Sequence, residues 1–256
     1  MAAGTALITG ASSGIGRELA KLCAAGGFDV ILAARRTERL EDLAAELGTA
    51  HRVAARPLQA DLSDPEAPGR LFDQLAGKPI DLLVNNAGFG LRGPFAETDW
   101  EAERRMIEVN MTAPAHLTKL FLPAMLQRGS GRILNVASIA GFVPGPFLAM
   151  YYASKAFLVS FSHAVANEVK GSGVTVTVLC PGPTRTEFEE AAGVEGSKLF
   201  QGDVMSAEAV ARVGYDAMMA GKAEVISGTR NRWMMLGARL APRSMLAEIT
   251  RGKNLG

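Results

Sequence analysis

Residues that build metal centres and disulfide frameworks are scarce in this chain, whose 256 residues include two cysteines and three histidines. No CxxC pair and no His/Cys cluster occurs, so the usual zinc spacings are excluded and no metal is expected. Cys23 and Cys180 lie in apolar runs and read as small buried hydrophobes in a reducing compartment. An excess of one charge sign is missing too. The 27 Lys+Arg against 26 Asp+Glu leave a formal charge of +1, whereas a nucleic-acid protein carries a basic surplus. No apolar run reaches the ~18 residues of a membrane span. The opening Met1-Ala2-Ala3-Gly4-Thr5 has no charged segment followed by a long apolar one, so no signal peptide and a cytoplasmic location are expected. The nucleophile elbow GxSxG of serine hydrolases does not occur. His51, His116 and His163 fall in no motif and are expected at the surface or satisfied on helices.

Hydrophobic residues make up 48% and charged residues 21%, a balance that suits a folded chain with a sizeable core. Short apolar runs alternate with helical periodicity from the start. Strands are predicted at Thr5–Thr9, Asp29–Ala34, Pro57–Ala60, Ile80–Asn85, Arg132–Ala137 and Val174–Cys180, with a weaker seventh at Glu224–Ser227. Helices are predicted at Ile15–Ala25, Arg39–Leu47, Asp99–Leu126 and Tyr151–Val169. Apolar strands separated by helices imply βαβ units. Right-handed crossovers then give an α/β fold: a doubly wound, mainly seven-stranded parallel sheet with helices on both faces. With no linker or repeat, residues 1–256 read as a single domain. Two segments stand apart. Residues 183–203 are polar and long for a connection, as lids and binding loops are. Residues 229–256 form a helical tail broken near Pro242 that mixes Arg with Trp, Met and Leu.

Between the first strand and first helix lies Thr9-Gly10-Ala11-Ser12-Ser13-Gly14-Ile15-Gly16. Helix N-terminal N–H groups bind anions, and glycines let the backbone approach a diphosphate. Five fixed residues match by chance about 10⁻⁶ of the time per position. This TGxxxGIG turn resembles that of the short-chain dehydrogenase/reductase family, in its compact Rossmann-like single-domain branch. The resemblance runs from Thr5 to about Gly228.

The resemblance implies a nicotinamide cofactor, held by Gly10, Ser12, Ser13, Gly14, Ile15 and Gly16. NAD-preferring relatives carry an acid at the tip of the second strand, to bind the ribose hydroxyls. Here Ala34 stands in its place, followed by Arg35 and Arg36, whose guanidinium forks suit a 2′-phosphate. NADPH is therefore expected over NADH. Asp61-Leu62 matches the family's adenine-contacting pair, and Asn85-Asn86-Ala87-Gly88 matches its NNAG. Asn85 is expected to brace the sheet, with Asn86, Ala87 and Gly88 toward the cofactor. Cys180-Pro181-Gly182-Pro183-Thr184 resembles the PG…T segment along the nicotinamide, with Thr184 and Thr186 competing for the carboxamide.

Tyr151-x-x-x-Lys155 puts two side chains on one helix face. Ser138 follows the fifth strand, where α/β enzymes place ligand groups, and Asn110 lies in the long helix before it. Asn110, Ser138, Tyr151 and Lys155 match the family's catalytic set. Reduction of a ketone or aldehyde needs a proton donor at the oxygen as hydride reaches the carbon. A free phenol has a pKa about 3 units too high, or roughly 4 kcal/mol. An ammonium ~4 Å away in an effective dielectric near 20 offsets about that much, so Lys155 is expected to supply most of the shift. The resemblance also places Tyr151 and Lys155 at the cofactor, Lys155 on the nicotinamide ribose. Ser138 is expected to donate to the substrate oxygen, and Asn110 to position a proton-supplying water. Tyr152 and Ser154 are the rival hydroxyls. Phe89, Leu91, Phe142, Val143, Phe147 and Phe188 follow the family's substrate-facing positions and favour a hydrophobic carbonyl or alcohol substrate. The resemblance implies a homodimer or homotetramer through the long helices. For the tail, simple packing on the domain is preferred over a cleft cap, an interface or a membrane contact.

Overall fold

Buried apolar runs build the sheet, with alternate residues facing opposite layers. The computed structural model describes residues 3–193 and 204–255. In chain order the strands are β1 Thr5–Thr9, β2 Asp29–Ala34, β3 Ala55–Gln59, β4 Leu82–Asn85, β5 Gly131–Val136, β6 Val174–Cys180, β7 Thr184–Arg185, β8 Met205–Ser206 and β9 Glu224–Ile226. Seven form one sheet in the order β3-β2-β1-β4-β5-β6-β9, and all its pairs are parallel. β7 and β8 pair separately. All seven expected strands are present, the third beginning earlier, at Ala55.

The helices are α1 Gly14–Ala25, α2 Thr37–His51, α3 Ala67–Asp73, α4 Trp100–Ile107, α5 Ala113–Arg128, α6 Ala149–Glu168, α7 Phe188–Ala191, α8 Ala207–Met219, α9 Thr229–Ala238 and α10 Arg243–Asn254. On one sheet face Ala6, Ile8, Val30 and Leu32 pack against Leu19 and Cys23 of α1, Leu40, Leu43 and Leu47 of α2, and Val210 and Met218 of α8. On the other, Leu7, Ile31, Ile133 and Val176 meet Leu71 of α3, Leu117, Phe121 and Met125 of α5, and Val165 of α6. Period-two strands between two helical layers account for the uninterrupted apolar runs. Helices α3 and α8 were not anticipated from the sequence.

The stretch expected as one helix over Asp99–Leu126 is divided. Asp99 caps α4 by accepting from the Ala102 N–H at 2.9 Å. Five residues, Glu108–Thr112, then form a π-helical turn before α5, closed by the Ala113 N–H on the Glu108 carbonyl. Pro114 explains part of this. It has no N–H to give the carbonyl four residues back, which belongs to Asn110.

A buried polar bridge crosses the sheet's centre. Asn85 Nδ2 donates to Asn135 Oδ1 at 2.9 Å, and Asn135 Nδ2 donates to Ser162 Oγ at 2.8 Å. The tail breaks at Pro242 as expected, and α10 is fastened to the loop before α6. Thr250 Oγ1 donates to the Pro144 carbonyl at 2.6 Å and Asn254 Nδ2 to the Pro146 carbonyl at 2.8 Å. Of the polar segment 183–203, residues 183–193 carry β7 and α7, while 194–203 lie outside the described residues. Among the described residues no helix is long and apolar enough to cross a membrane.

Candidate active site

At the C-terminal ends of β1, β4, β5 and β6 opens a cleft of about 1340 Å³. β1 has β2 on one side and β4 on the other, so the chain winds away in opposite directions there and leaves a crevice above the strand ends.

The glycine turn forms the cleft's first wall. Gly10 has φ of 66°, and a Cβ there would come 2.8 Å from Asn86 Nδ2 and 2.9 Å from the Ala87 backbone. Only glycine permits that handedness and closeness together. A Cβ on Gly16 would sit 2.3 Å from the Gly10 carbonyl, so Gly16 packs behind the turn and does not line the cleft. Asn86 Nδ2 donates to the carbonyls of Thr9 and Gly10 at 3.0 and 3.2 Å, bracing the turn from β4. Asn85 has the structural place expected of it. Ser13 precedes α1 without capping it through its side chain. The Ser12 and Ser13 hydroxyls instead accept from Arg36 Nη2 at 3.2 and 3.1 Å. The first-turn N–H groups of α1 thus keep their capacity for an anion.

Arg35 and Arg36 also line the cleft, next to Ala34, and both are exposed. Arg36 and Arg39 pair with Glu187. Asp61 and Leu62 lie along the same wall, Asp61 accepting from the Ser63 N–H and hydroxyl at 3.0 and 2.8 Å. Ala87, Gly88, Pro181, Gly182, Thr184 and Thr186 line it as well. The Thr184 hydroxyl is turned to the Gly182 carbonyl at 2.9 Å, whereas Thr186 stands over the turn, its methyl 3.0 Å from where a Gly14 Cβ would be.

Ser138, Tyr151 and Lys155 meet at the cleft's inner end. Ser138 opens a short 3₁₀ turn, Ile139–Phe142, and its Oγ accepts from the Ala140 N–H at 3.1 Å. Tyr151 and Lys155 rise from the first turns of α6, with Lys155 Nζ 5.8 Å from the Tyr151 ring centre. Lys155 is 5% exposed and donates to the Val136 carbonyl at 3.0 Å. Asn110 lies behind Gly88 and does not line the cleft. A Cβ on Gly88 would be 3.2 Å from both Asn110 Oδ1 and Lys155 Nζ, so this glycine keeps the two in reach of one another. The Asn110 side chain is held by the Phe89 N–H and carbonyl at 3.1 and 2.9 Å and by Ser154 Oγ at 3.0 Å.

Burial governs the electrostatics. It pushes the Lys155 ammonium down to about 8. It pushes the Tyr151 phenol well above the ordinary tyrosine value, a rise only partly offset by the Ser138 side chain. The net direction is upward, against the lowering expected from the ammonium, because burial outweighs it. The ammonium is held on the Val136 carbonyl, 5.8 Å from the Tyr151 ring centre, and the desolvated phenol keeps its proton.

The rival hydroxyls are committed elsewhere. Tyr152 is buried and donates to Asn254 Oδ1 at 3.2 Å, anchoring the tail. Ser154 donates to the Tyr151 carbonyl at 2.7 Å. His163 meets Glu224 at 2.9 Å on the surface, and none of the three histidines lines the cleft. Of the six residues expected toward the substrate, Phe89, Val143 and Phe188 line the cleft, Phe188 lying 5.3 Å from the Tyr151 ring. Leu91, Phe142 and Phe147 do not. Phe142 packs with Leu158 and Val178, and Phe147 sits under Arg251 at φ of 66°. The lining also includes Arg105, Met205, Asn231 and, from the tail, Met234, Met235, Met245, Leu246, Ile249 and Lys253. The tail therefore does more than pack on the sheet domain: it walls one side of the cleft.

Residues 4–195 match the family model described as short chain dehydrogenase. A short chain dehydrogenase of Pseudocercospora fijiensis is 38% identical over 72% of this chain. That match takes in 60% of the relative, so the chain spans about three fifths of its length. Among solved structures, a short-chain dehydrogenase from Sphingobium yanoikuyae in complex with NADPH has a TM-score of 0.84 at 35% identity, covering 93% of this chain and 94% of that one. A structure described in terms of 7beta-hydroxysteroid dehydrogenase stereoselectivity has a TM-score of 0.88 at 27% identity, covering 96% of both chains.

Proposed function

The chain belongs to the short-chain dehydrogenase family, an oxidoreductase family, and we propose that it is an NADPH-dependent ketoreductase acting on a bulky, apolar carbonyl compound. The convergence of Ser138, Tyr151 and Lys155 at the inner end of a cleft that begins at the glycine turn carries this reading. The residues present fit a dinucleotide. Gly10 leaves room that a Cβ would fill, and the α1 N-terminus is uncapped by Ser13. Gly10, Ser12, Ser13, Gly14 and Ile15 would hold the diphosphate, Asp61 and Leu62 the adenine, and Thr184 and Thr186 the carboxamide end. Arg35 and Arg36 would hold a 2′-phosphate, and the NADPH named in the description of the Sphingobium relative supports that choice. When bound, NADPH supplies the hydride.

The chain's own residues supply the proton. Tyr151 keeps its phenolic proton at neutral pH because burial disfavours the phenolate. It therefore donates to a carbonyl oxygen once that oxygen gains charge. Ser138 presents a second hydroxyl to the same oxygen. Lys155, charged below about pH 8, stabilises the phenolate left behind. Asn110 positions the Phe89 backbone and, through Ser154, the carbonyl of Tyr151. Phe89, Val143 and Phe188 with the tail methionines exclude water and favour apolar substituents. Tyr151→Phe tests the reading with a panel of bulky ketones, following loss of reduced-nicotinamide absorbance. Turnover is expected to fall by about 10²–10⁴ with NADPH binding retained. Unimpaired turnover refutes the mechanism.

A further inference from the structure

Arg36 and Arg39 leave the start of α2 beside the glycine turn, and both guanidinium groups meet one carboxylate. Arg36 Nη1 lies 2.8 Å from Glu187 Oε2, and Arg39 Nη1 pairs with Glu187 Oε1. The second Arg36 nitrogen bonds Ser12 and Ser13 of the turn. Two guanidinium forks closing on one pair of oxygens is how a phosphate is held. In this chain an acid of its own fills that position. The pairing does little for the fold, because side chains 45%, 49% and 46% exposed for Arg36, Arg39 and Glu187 bury no core surface. The two arginines hold the Glu187 carboxyl below the usual glutamate value, so it is ionised at neutral pH. Its neighbours reach in both directions. Thr186 stands over Gly14, and Phe188 packs on Tyr151 at 5.3 Å between ring centres. Thr186, Glu187 and Phe188 therefore connect the arginines to the proposed proton donor.

We propose that Glu187 sets cofactor choice by competing with the 2′-phosphate of NADP(H) for Arg36, which lines the cleft, while Arg39 holds the carboxylate from outside it. The inference rests on the NADPH reading above. A phosphate, with more charge and three acceptor oxygens, displaces the carboxylate from Arg36 and takes over that fork. A cofactor without that phosphate leaves the ion pairs as they are. Glu187 thus lowers affinity for NADP(H) below what the arginines alone would give, and it leaves NAD(H) unaffected.

The test is isothermal titration of NADP+ and NAD+ into the wild type and Glu187→Gln. The wild type is expected to bind NADP+ the more tightly. Glu187→Gln is expected to tighten NADP+ about threefold to tenfold and to change NAD+ less than twofold, the scale of an exposed ion-pair network. Unchanged or weakened NADP+ binding in the variant overturns the competition, because a carboxylate that merely orients the arginines would cost affinity when lost. A wild type that binds NAD+ as tightly as NADP+ refutes the NADPH reading itself, in an arm that does not involve Glu187, and the competition falls with it.

Discussion

Lys155→Met should stabilise the protein at neutral pH while abolishing turnover, and the gain should fade as pH rises. The Lys155 ammonium is 5% exposed, and burial lowers its pKa from 10.5 to about 8. At about 1.4 kcal/mol for each pH unit, that depression costs the folded state about 3 kcal/mol wherever the amine is charged in both states. Methionine fills similar space with no charge to desolvate. It forfeits the hydrogen bond to the Val136 carbonyl and leaves that acceptor unpaired, a loss of about 1–2 kcal/mol. The net gain at neutral pH is therefore about 1–2 kcal/mol. Below about pH 8 both states hold the proton and the cost is whole. Between about 8 and 10.5 the unfolded chain binds the proton and the folded one does not, so wild-type stability climbs relative to the variant. By about pH 9.5 the wild type recovers about 2 kcal/mol, which erases the variant's lead. The assay is urea unfolding of both proteins at matched pH, reading their difference. Cys23 and Tyr151, whose protonated forms burial favours, contribute to both proteins and cancel. A difference that stays flat from neutral pH to about 9.5 refutes a depressed, buried Lys155.

Asn135→Ala removes the centre of the Asn85–Asn135–Ser162 bridge at a fully buried position. Loss of two buried hydrogen bonds and a small cavity should cost about 3 kcal/mol, read as a lower calorimetric midpoint with cofactor affinity unchanged. Asn254→Ala frees the Tyr152 hydroxyl and the Pro146 carbonyl, loosening α10 from the loop it sits on. A stability loss of about 1 kcal/mol is expected. With it should come a KM for bulky apolar ketones raised severalfold and a kcat for small ones unchanged. Equal changes for small and bulky ketones would show that the tail does not wall the substrate's side of the cleft.

The sheet was legible because a parallel strand covered on both faces is an apolar run, a local property, as Leu7-Ile8 and Ile31-Leu32 show. The glycine turn was legible because its spacing meets a steric demand, the close approach of Gly10 to Asn86 and Ala87. Helix α3 is seven residues with Pro68 near its start, too short to show a period. Helix α8 does carry a start signal, a Ser206 cap accepting from the Ala209 N–H with Glu208 in the first turn. The tail's place on the cleft depends on Thr250 with Pro144 and Asn254 with Tyr152, pairs more than a hundred residues apart. Only tertiary packing could reveal it. The upward direction at Tyr151 depends on long-range packing in the same way. One helical turn between Tyr151 and Lys155 fixes the face they share, but the ammonium's partner, the Val136 carbonyl, comes from β5.

Asn110 shows how a local residue type produces a long-range arrangement. A regular α-helix from Asp99 to Leu126 would pair every carbonyl with the N–H four residues on. Pro114 denies that donor to Asn110, and the backbone relaxes into the π turn Glu108–Thr112. The wider turn coincides with the place where the Asn110 side chain leaves the helix layer. It reaches Phe89 after β4 and Ser154 on α6, with Gly88 keeping the space toward Lys155 open. Three elements distant in sequence thus meet at one amide, and the proline four residues on is the sequence signal for it. A proline four residues after Asn110 inside a long helical pattern removes the regular donor for its carbonyl.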